Sequence, residues 1–161
     1  MRWVAAAVAA VGLAAGCGSG VDAGRLGDAL DEAEPAVAPF EGLTAIEVRV
    51  GDAILPVVVA DSSDEHSAGL RDRTDPAPYA GMLFVFDDDS ASRFTMRGVE
   101  EPLDLAFYAA DGSQVGGHEM QPCPDGGNCP PYASDVLYRY ALETPAGQLP
   151  DGALEAVTDP R

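Results

Sequence analysis

The segment Gly81–Phe107, GMLFVFDDDSASRFTMRGVEEPLDLAF, decides the fold. It holds three apolar runs, GMLFVF, RFTM and PLDLAF, separated by an acidic turn and a short polar loop. Each run has the length of a strand and is bounded by turn residues, the pattern of a β-rich domain rather than of a helical bundle. Met82–Phe86 shows no alternation, as expected of a strand buried on both faces. Leu103–Tyr108 does alternate: Leu103, Leu105 and Phe107 face one way, and Asp104, Ala106 and Tyr108 the other. Between these runs, Asp87-Asp88-Asp89-Ser90 lacks the ligand spacing of a calcium loop and reads as a solvated turn.

Working outward, Thr44–Val50 (TAIEVRV) alternates strictly, with Ile46, Val48 and Val50 on one face. Gly51-Asp52 has the form of a hairpin turn, and Leu55–Ala60 a returning strand whose Pro56 marks an edge. Ser62 and Glu65 have capping-box spacing and Gly69 is a stop, so one short helix is expected near residues 62–69, with His66 as an exposed polar residue on it. On the far side, Ala110–Ser113 is a turn and Gln114–Met120 a returning strand carrying His118 and Glu119. A long loop then leads to a final long strand, Val136–Glu143, with Val136, Tyr138, Tyr140 and Leu142 on one face, and to a short one at Leu154–Val157. The fold class expected is mainly β.

The 161 residues include 27 acidic and 9 basic ones, a formal charge of −18. A nucleic-acid partner is excluded, because phosphate binding needs a basic surface. Electrostatic docking on anionic lipid is excluded on the same ground.

The N-terminus reads MRWVAAAVAAVGLAAGC. Arg2 precedes an apolar run, Val4–Ala15, of signal-peptide length and too short for a membrane span, which takes about 20 apolar residues. Ala14-Ala15-Gly16-Cys17 resembles a bacterial lipobox, with Leu13 one place earlier than usual. Residues 1–16 are therefore expected to be a signal peptide, and Cys17 the first residue of a lipoprotein carrying diacylglycerol and palmitate. An ordinary secretory cleavage at an A-x-A-like site and an uncleaved anchor stay open. Residues 17–41, rich in Gly, Ala, Asp, Glu and Pro, are expected to be a disordered tether, the brief helical pattern around Arg25–Ala33 being shorter than an isolated helix needs. The folded domain is expected to span residues 42–161.

Cys123 and Cys129 flank a PDGGN turn, in a chain expected to face an oxidising compartment. A structural disulfide is expected, contributing roughly 2–2.5 kcal/mol by loop entropy. Zinc fits poorly, since the cysteine spacing departs from the usual two to four residues. A redox pair departs from the usual C-x₂-C form.

GLRDR, GMLFVF, F-x-M, PLDLAF, C-P-P-Y and L-E-x-P-A-G occur in that order. Together they resemble the domain-of-unknown-function 192 family, from about Val48 to Gly147. The resemblance implies a small sandwich or barrel of jelly-roll type and no established activity. The family pattern F-W-M-K-N-T-x-x-P-L-D falls on Phe94, Thr95, Met96, Arg97, Gly98, Val99, Pro102, Leu103 and Asp104. Thr95 stands in place of the aromatic ring and Gly98 in place of the Asn, so a ligand site built on those two side chains is incomplete here. The family's strand end falls near His118 and Glu119, and its C-x-x-Y on Cys129 and Tyr132.

A candidate pocket follows from these positions: Met82, Phe94, Met96, Pro102, Asp104, His118, Glu119 and Tyr132. Met82, Phe94 and Met96 also suit a core. Asp104 also suits a structural role, accepting backbone amides of the Arg97–Glu101 loop. Asp104 and Glu119 are expected to share a face, where paired carboxylates can act as acid and base. No nucleophile elbow, phosphate loop or dinucleotide fingerprint is present, and no cofactor or metal is expected. The expected function is a monomeric binding module for a small ligand or an envelope protein, held through Cys17 on the extracytoplasmic face of a membrane. An envelope enzyme of hydrolytic kind, using Asp104 and Glu119, and a passive structural lipoprotein are the alternatives.

Overall fold

The computed structural model describes residues 24–73, 75–124 and 126–157. The leader and Cys17 lie outside them. The elements run α1 (Gly24–Asp31), β1 (Glu34–Pro35), β2 (Thr44–Val50), β3 (Ala53–Ala60), α2 (Ser63–Ala68), β4 (Gly81–Ser90), β5 (Phe94–Thr95), β6 (Leu103–Tyr108), β7 (Gln114–Met120), β8 (Pro131–Tyr132), β9 (Tyr138–Pro145) and β10 (Leu154–Ala156).

Strands β2 and β3 form the expected hairpin, with Val50 opposite Ala53 and Gly51 in the left-handed region at φ 56°. β3 pairs with β4 in parallel, and such a pair needs a crossover rather than a tight turn. Helix α2 supplies it. Its start is a complete capping box, the Ser62 hydroxyl accepting from the Glu65 amide while the Glu65 carboxylate accepts from the Ser62 amide. Pro56 is tolerated because the β3–β4 pairing begins only at Val57.

The sheet continues β4–β9–β6–β7, all antiparallel, while β1 and β10 each take part of the outer edge of β2. A separate ribbon, β5–β8, pairs Phe94 with Tyr132. The fold is mainly β, as expected, with one large open sheet and two short helices; the sheet does not close into a barrel.

Alternation divides the core in two. Met82, Phe84, Leu105, Phe107 and Met120 fall in one cluster, covered by Phe40, Phe94 and Met96. Leu83, Ala106, Tyr108, Val48 and Val50 fall in the other, covered by Leu26 of α1 and Leu154 of β10. Phe94 fixes the small ribbon onto the sheet through edge-on contacts with Phe84 at 4.9 Å and Phe107 at 5.7 Å.

Three expectations are corrected. The segment read as a disordered tether is folded from Gly24 onward: Leu26 and Ala36 are buried, and Phe40 is fully so beneath the Arg73 guanidinium. Composition alone misses this because a few apolar side chains, meeting a ready-made sheet, suffice to dock a polar segment. The acidic triplet is not a free turn but the exposed end of β4. There β4 advances from Val85 to Ser90 while β9 moves only from Tyr140 to Tyr138, a bulge. Asp89 within it pairs with Arg139 at 2.9 Å. The same bulge ends the one-face pattern of the last strand. Tyr138 turns into the first cluster, its hydroxyl donating to the Ser92 carbonyl at 2.8 Å, whereas Tyr140 and Leu142 belong with the second. Val136 and Leu137 lie outside the strand and are exposed.

Candidate functional site

A chamber of about 280 Å³ opens between α2, the outer stretch of β4 and the segment around β5. That is the low end of the size range of small-molecule sites. Phe84 and Phe86 of β4 and Phe94 of β5 give it aromatic walls, and Glu143 of β9 reaches it from the sheet.

Glu143 is the unusual residue. It is only 5% exposed, and its backbone register sets it between Met82 and Leu105, neither of which offers a donor. Among the described residues its carboxyl group has no hydrogen-bond or ionic partner. Burial alone pushes the carboxyl up to about 8. At neutral pH it is therefore mostly a neutral acid, able to donate one hydrogen bond and accept others. Gly81 allows the strands to meet here: a β-carbon on it would overlap the Glu143 carbonyl oxygen.

Three arginines stand around the opening. Arg71, Arg93 and Arg97 all line the chamber and are exposed, and they are a third of the chain's nine basic residues. Arg71 Nε donates to the Arg97 carbonyl at 3.0 Å, which clips the two sides of the rim together. Among the described residues no carboxylate pairs with Arg93 or Arg97. Behind the rim, Cys123 and Cys129 form the expected disulfide, with Cα atoms 5.6 Å apart. The Cys123 carbonyl accepts from the Gly98 amide at 2.9 Å, so the bridged loop backs the Arg97–Val99 segment. Replacing both cysteines by Ser is expected to cost about 2 kcal/mol of stability, measured as a fall in urea midpoint at unchanged slope. An unchanged midpoint would show that the loop contributes no constraint.

His66 is not the exposed residue expected. It is half-buried, its Nε2 lies 3.0 Å from both the Ala60 and Val85 carbonyl oxygens, and its ring rests 4.5 Å from Phe86. Two carbonyls can only accept, so Nε2 carries the hydrogen. His66 thus ties α2 to the β3–β4 pair and forms one wall of the chamber.

The positions expected from the sequence are divided between the two faces of the sheet. Met82 and Met96 are core residues, 1% exposed, and of the expected set Phe94 alone borders the chamber. Asp104 and Glu119 are direct cross-strand partners, as expected. His118 is their neighbour in sequence but points to the opposite face, beside Phe107 and Tyr132, with Nε2 2.7 Å from the Ala133 carbonyl. The three therefore do not converge. Asp104 accepts an amide, though from Gly147 at 2.7 Å rather than from the preceding loop, and so fixes the turn after β9. Pro102 supports the same turn, its carbonyl accepting from the Ala146 amide. The Tyr132 hydroxyl accepts from the Gln121 amide at 3.1 Å.

Glu143 was missed as a site residue because β9 reads as a strand with one wet face. The missing piece is that β9 lies between β4 and β6, where a core cluster packs on each face of the sheet. An acid flanked by Leu142 and Thr144 inside an apolar strand was the available sign.

Residues 46–156 match a family model described as uncharacterized ACR, the domain of unknown function 192. Among solved structures, the chain is similar to a protein of unknown function from Novosphingobium aromaticivorans, at 26% identity and TM-score 0.61, covering 79% of this chain and 96% of that one. It is also similar to a proposed transcription regulator from Sinorhizobium meliloti, at 27% identity and TM-score 0.56, covering 69% of this chain and 91% of that one. No curated protein matches it.

Proposed function

Because the chain belongs to the domain-of-unknown-function 192 family, whose description names no activity, we propose its role from the chamber: it is a binding module for a small ligand. The observation that carries this reading is Glu143, a side chain 5% exposed at a cavity wall whose carboxyl group has no partner among the described residues. Such a group costs stability, and a cavity with a few polar groups aimed into it is the ordinary form of a ligand site. Transcription regulation, the role proposed for the Sinorhizobium meliloti relative, finds no support through direct DNA contact in a chain of formal charge −18. Catalysis by Asp104 and Glu119 is also disfavoured, since the Asp104 carboxylate is occupied by the Gly147 amide.

The module is a lipoprotein in this reading, anchored at Cys17 on the extracytoplasmic face of the membrane. The leader and the lipobox-like Ala14–Cys17 support it. Cells expressing the full chain and fed labelled palmitate should yield a labelled protein in the membrane fraction. Cys17→Ser should abolish both the label and the membrane association. Label retained in the variant would sink the anchor.

A further inference from the structure

The chamber's polar groups also say what kind of ligand it takes. Resting on the binding-module reading above, we infer that it takes a small organic anion, a carboxylate on a planar apolar body, with the anionic head at the arginine rim. The inference rests on four placements.

The first is charge. In a chain with 27 acidic residues, Arg93 and Arg97 line one opening and neither has a carboxylate partner among the described residues. Unpaired guanidinium groups beside so many available carboxylates leave a local positive field in a negative molecule. That field favours an anion and presents the planar forks that match a carboxylate. The second is rigidity. Arg71 is held across the rim by its bond to the Arg97 carbonyl, and Arg97 is backed by the disulfide loop, so the donors need little further ordering on binding.

The third is the walls. Phe84, Phe86, Phe94 and the His66 ring give the chamber an aromatic side, suited to a flat hydrophobic body, beside its polar rim. The fourth is Glu143 at the inner wall. As a neutral acid it does not oppose an anion, and it offers one donor to a hydroxyl or carbonyl on the ligand's far end. The other charged or titratable groups lining the chamber are His66 from α2 and the three arginines, while β4 presents only Phe84 and Phe86. A volume of about 280 Å³ restricts the ligand to a single ring or its equivalent.

The test uses three probes of one shape and different charge: benzoate, benzamide and benzylammonium. Each is titrated calorimetrically at pH 7 into the detergent-solubilised full chain and its Arg93→Gln/Arg97→Gln double variant. Benzoate is expected to bind at least about tenfold more tightly than either other probe. The double variant, whose substitutions are on the surface and leave the fold intact, should lose about tenfold for benzoate alone. Equal or tighter binding of benzamide or benzylammonium, lost on blocking the chamber with Ala68→Trp at its exposed α2 wall, would overturn the anion while leaving the binding module standing. Binding of none of the three to the folded chain would overturn both.

Discussion

Above pH 8, Glu143→Gln is expected to be more stable than the wild type by about 5 kcal/mol, with the two proteins nearly equal below pH 4.5. The unfolded carboxyl titrates near 4.5 and the folded one near 8. Between those values the folded state holds a proton that the unfolded state has released. Each pH unit in that window therefore removes about 1.4 kcal/mol of stability. The contribution of the protonated side chain is complete below 4.5, falls steadily up to 8 and is gone above it. Glutamine has the same shape and does not titrate, and the other carboxylates are common to both proteins, so their effects cancel in the difference. Urea unfolding at pH 4.5, 6, 7.5 and 9 measures it. Parallel stability curves would mean that the Glu143 carboxyl is solvated or partnered in solution, and the chamber's neutral inner wall would be lost with it.

The second large effect is expected from Phe94→Ala. Phe94 is 9% exposed and meets Phe84 and Phe107 edge-on, with Tyr138 at 6.4 Å. Removing a buried phenyl ring costs about 3–5 kcal/mol. The lower end applies here, because one side of the ring already borders the chamber. That is enough to lower the melting temperature by over ten degrees in a domain of this size. The ribbon should also loosen, since β5 and β8 pair through only two residues each and Phe94 is the buried member. Faster amide exchange at Thr95 and Tyr132 than elsewhere in the sheet would report this. A loss below about 1 kcal/mol, the size of a surface change, would show that the ribbon is not held by this ring.

These two residues show what the sequence made legible and what it did not. The strands Thr44–Val50, Leu103–Tyr108 and Gln114–Met120 were readable because period-two alternation and turn residues are local properties. The helix after Ser62 was readable because its capping box spans four residues. Phe94 was found through a motif, yet its partners Phe84 and Phe107 come from strands on either side of it in the chain. Glu143 needed more. Its burial depends on β9 being inserted between β4 and β6, a pairing over tens of residues that no local pattern records. The chamber needed most, because α2, β4, β5 and β9 each contribute only part of it. The grouping of His118 with Asp104 and Glu119 failed for a simpler reason. Adjacent strand residues face opposite ways, so sequence proximity is the wrong measure there.

The docking of α1 has a consequence for how far this protein can range. A tether running from Cys17 to Glu41 would have let the domain roam more than about 80 Å from its anchor, at roughly 3.5 Å per residue. With Leu26 packed against the sheet and Gly24 already part of the fold, Cys17 precedes the folded part by only seven residues, a separation of at most about 25 Å. The lipid proposed at Cys17 would confine the domain to the layer of solvent next to the headgroups. It would sample molecules leaving or arriving at the bilayer, and it could not reach across the envelope for a distant partner.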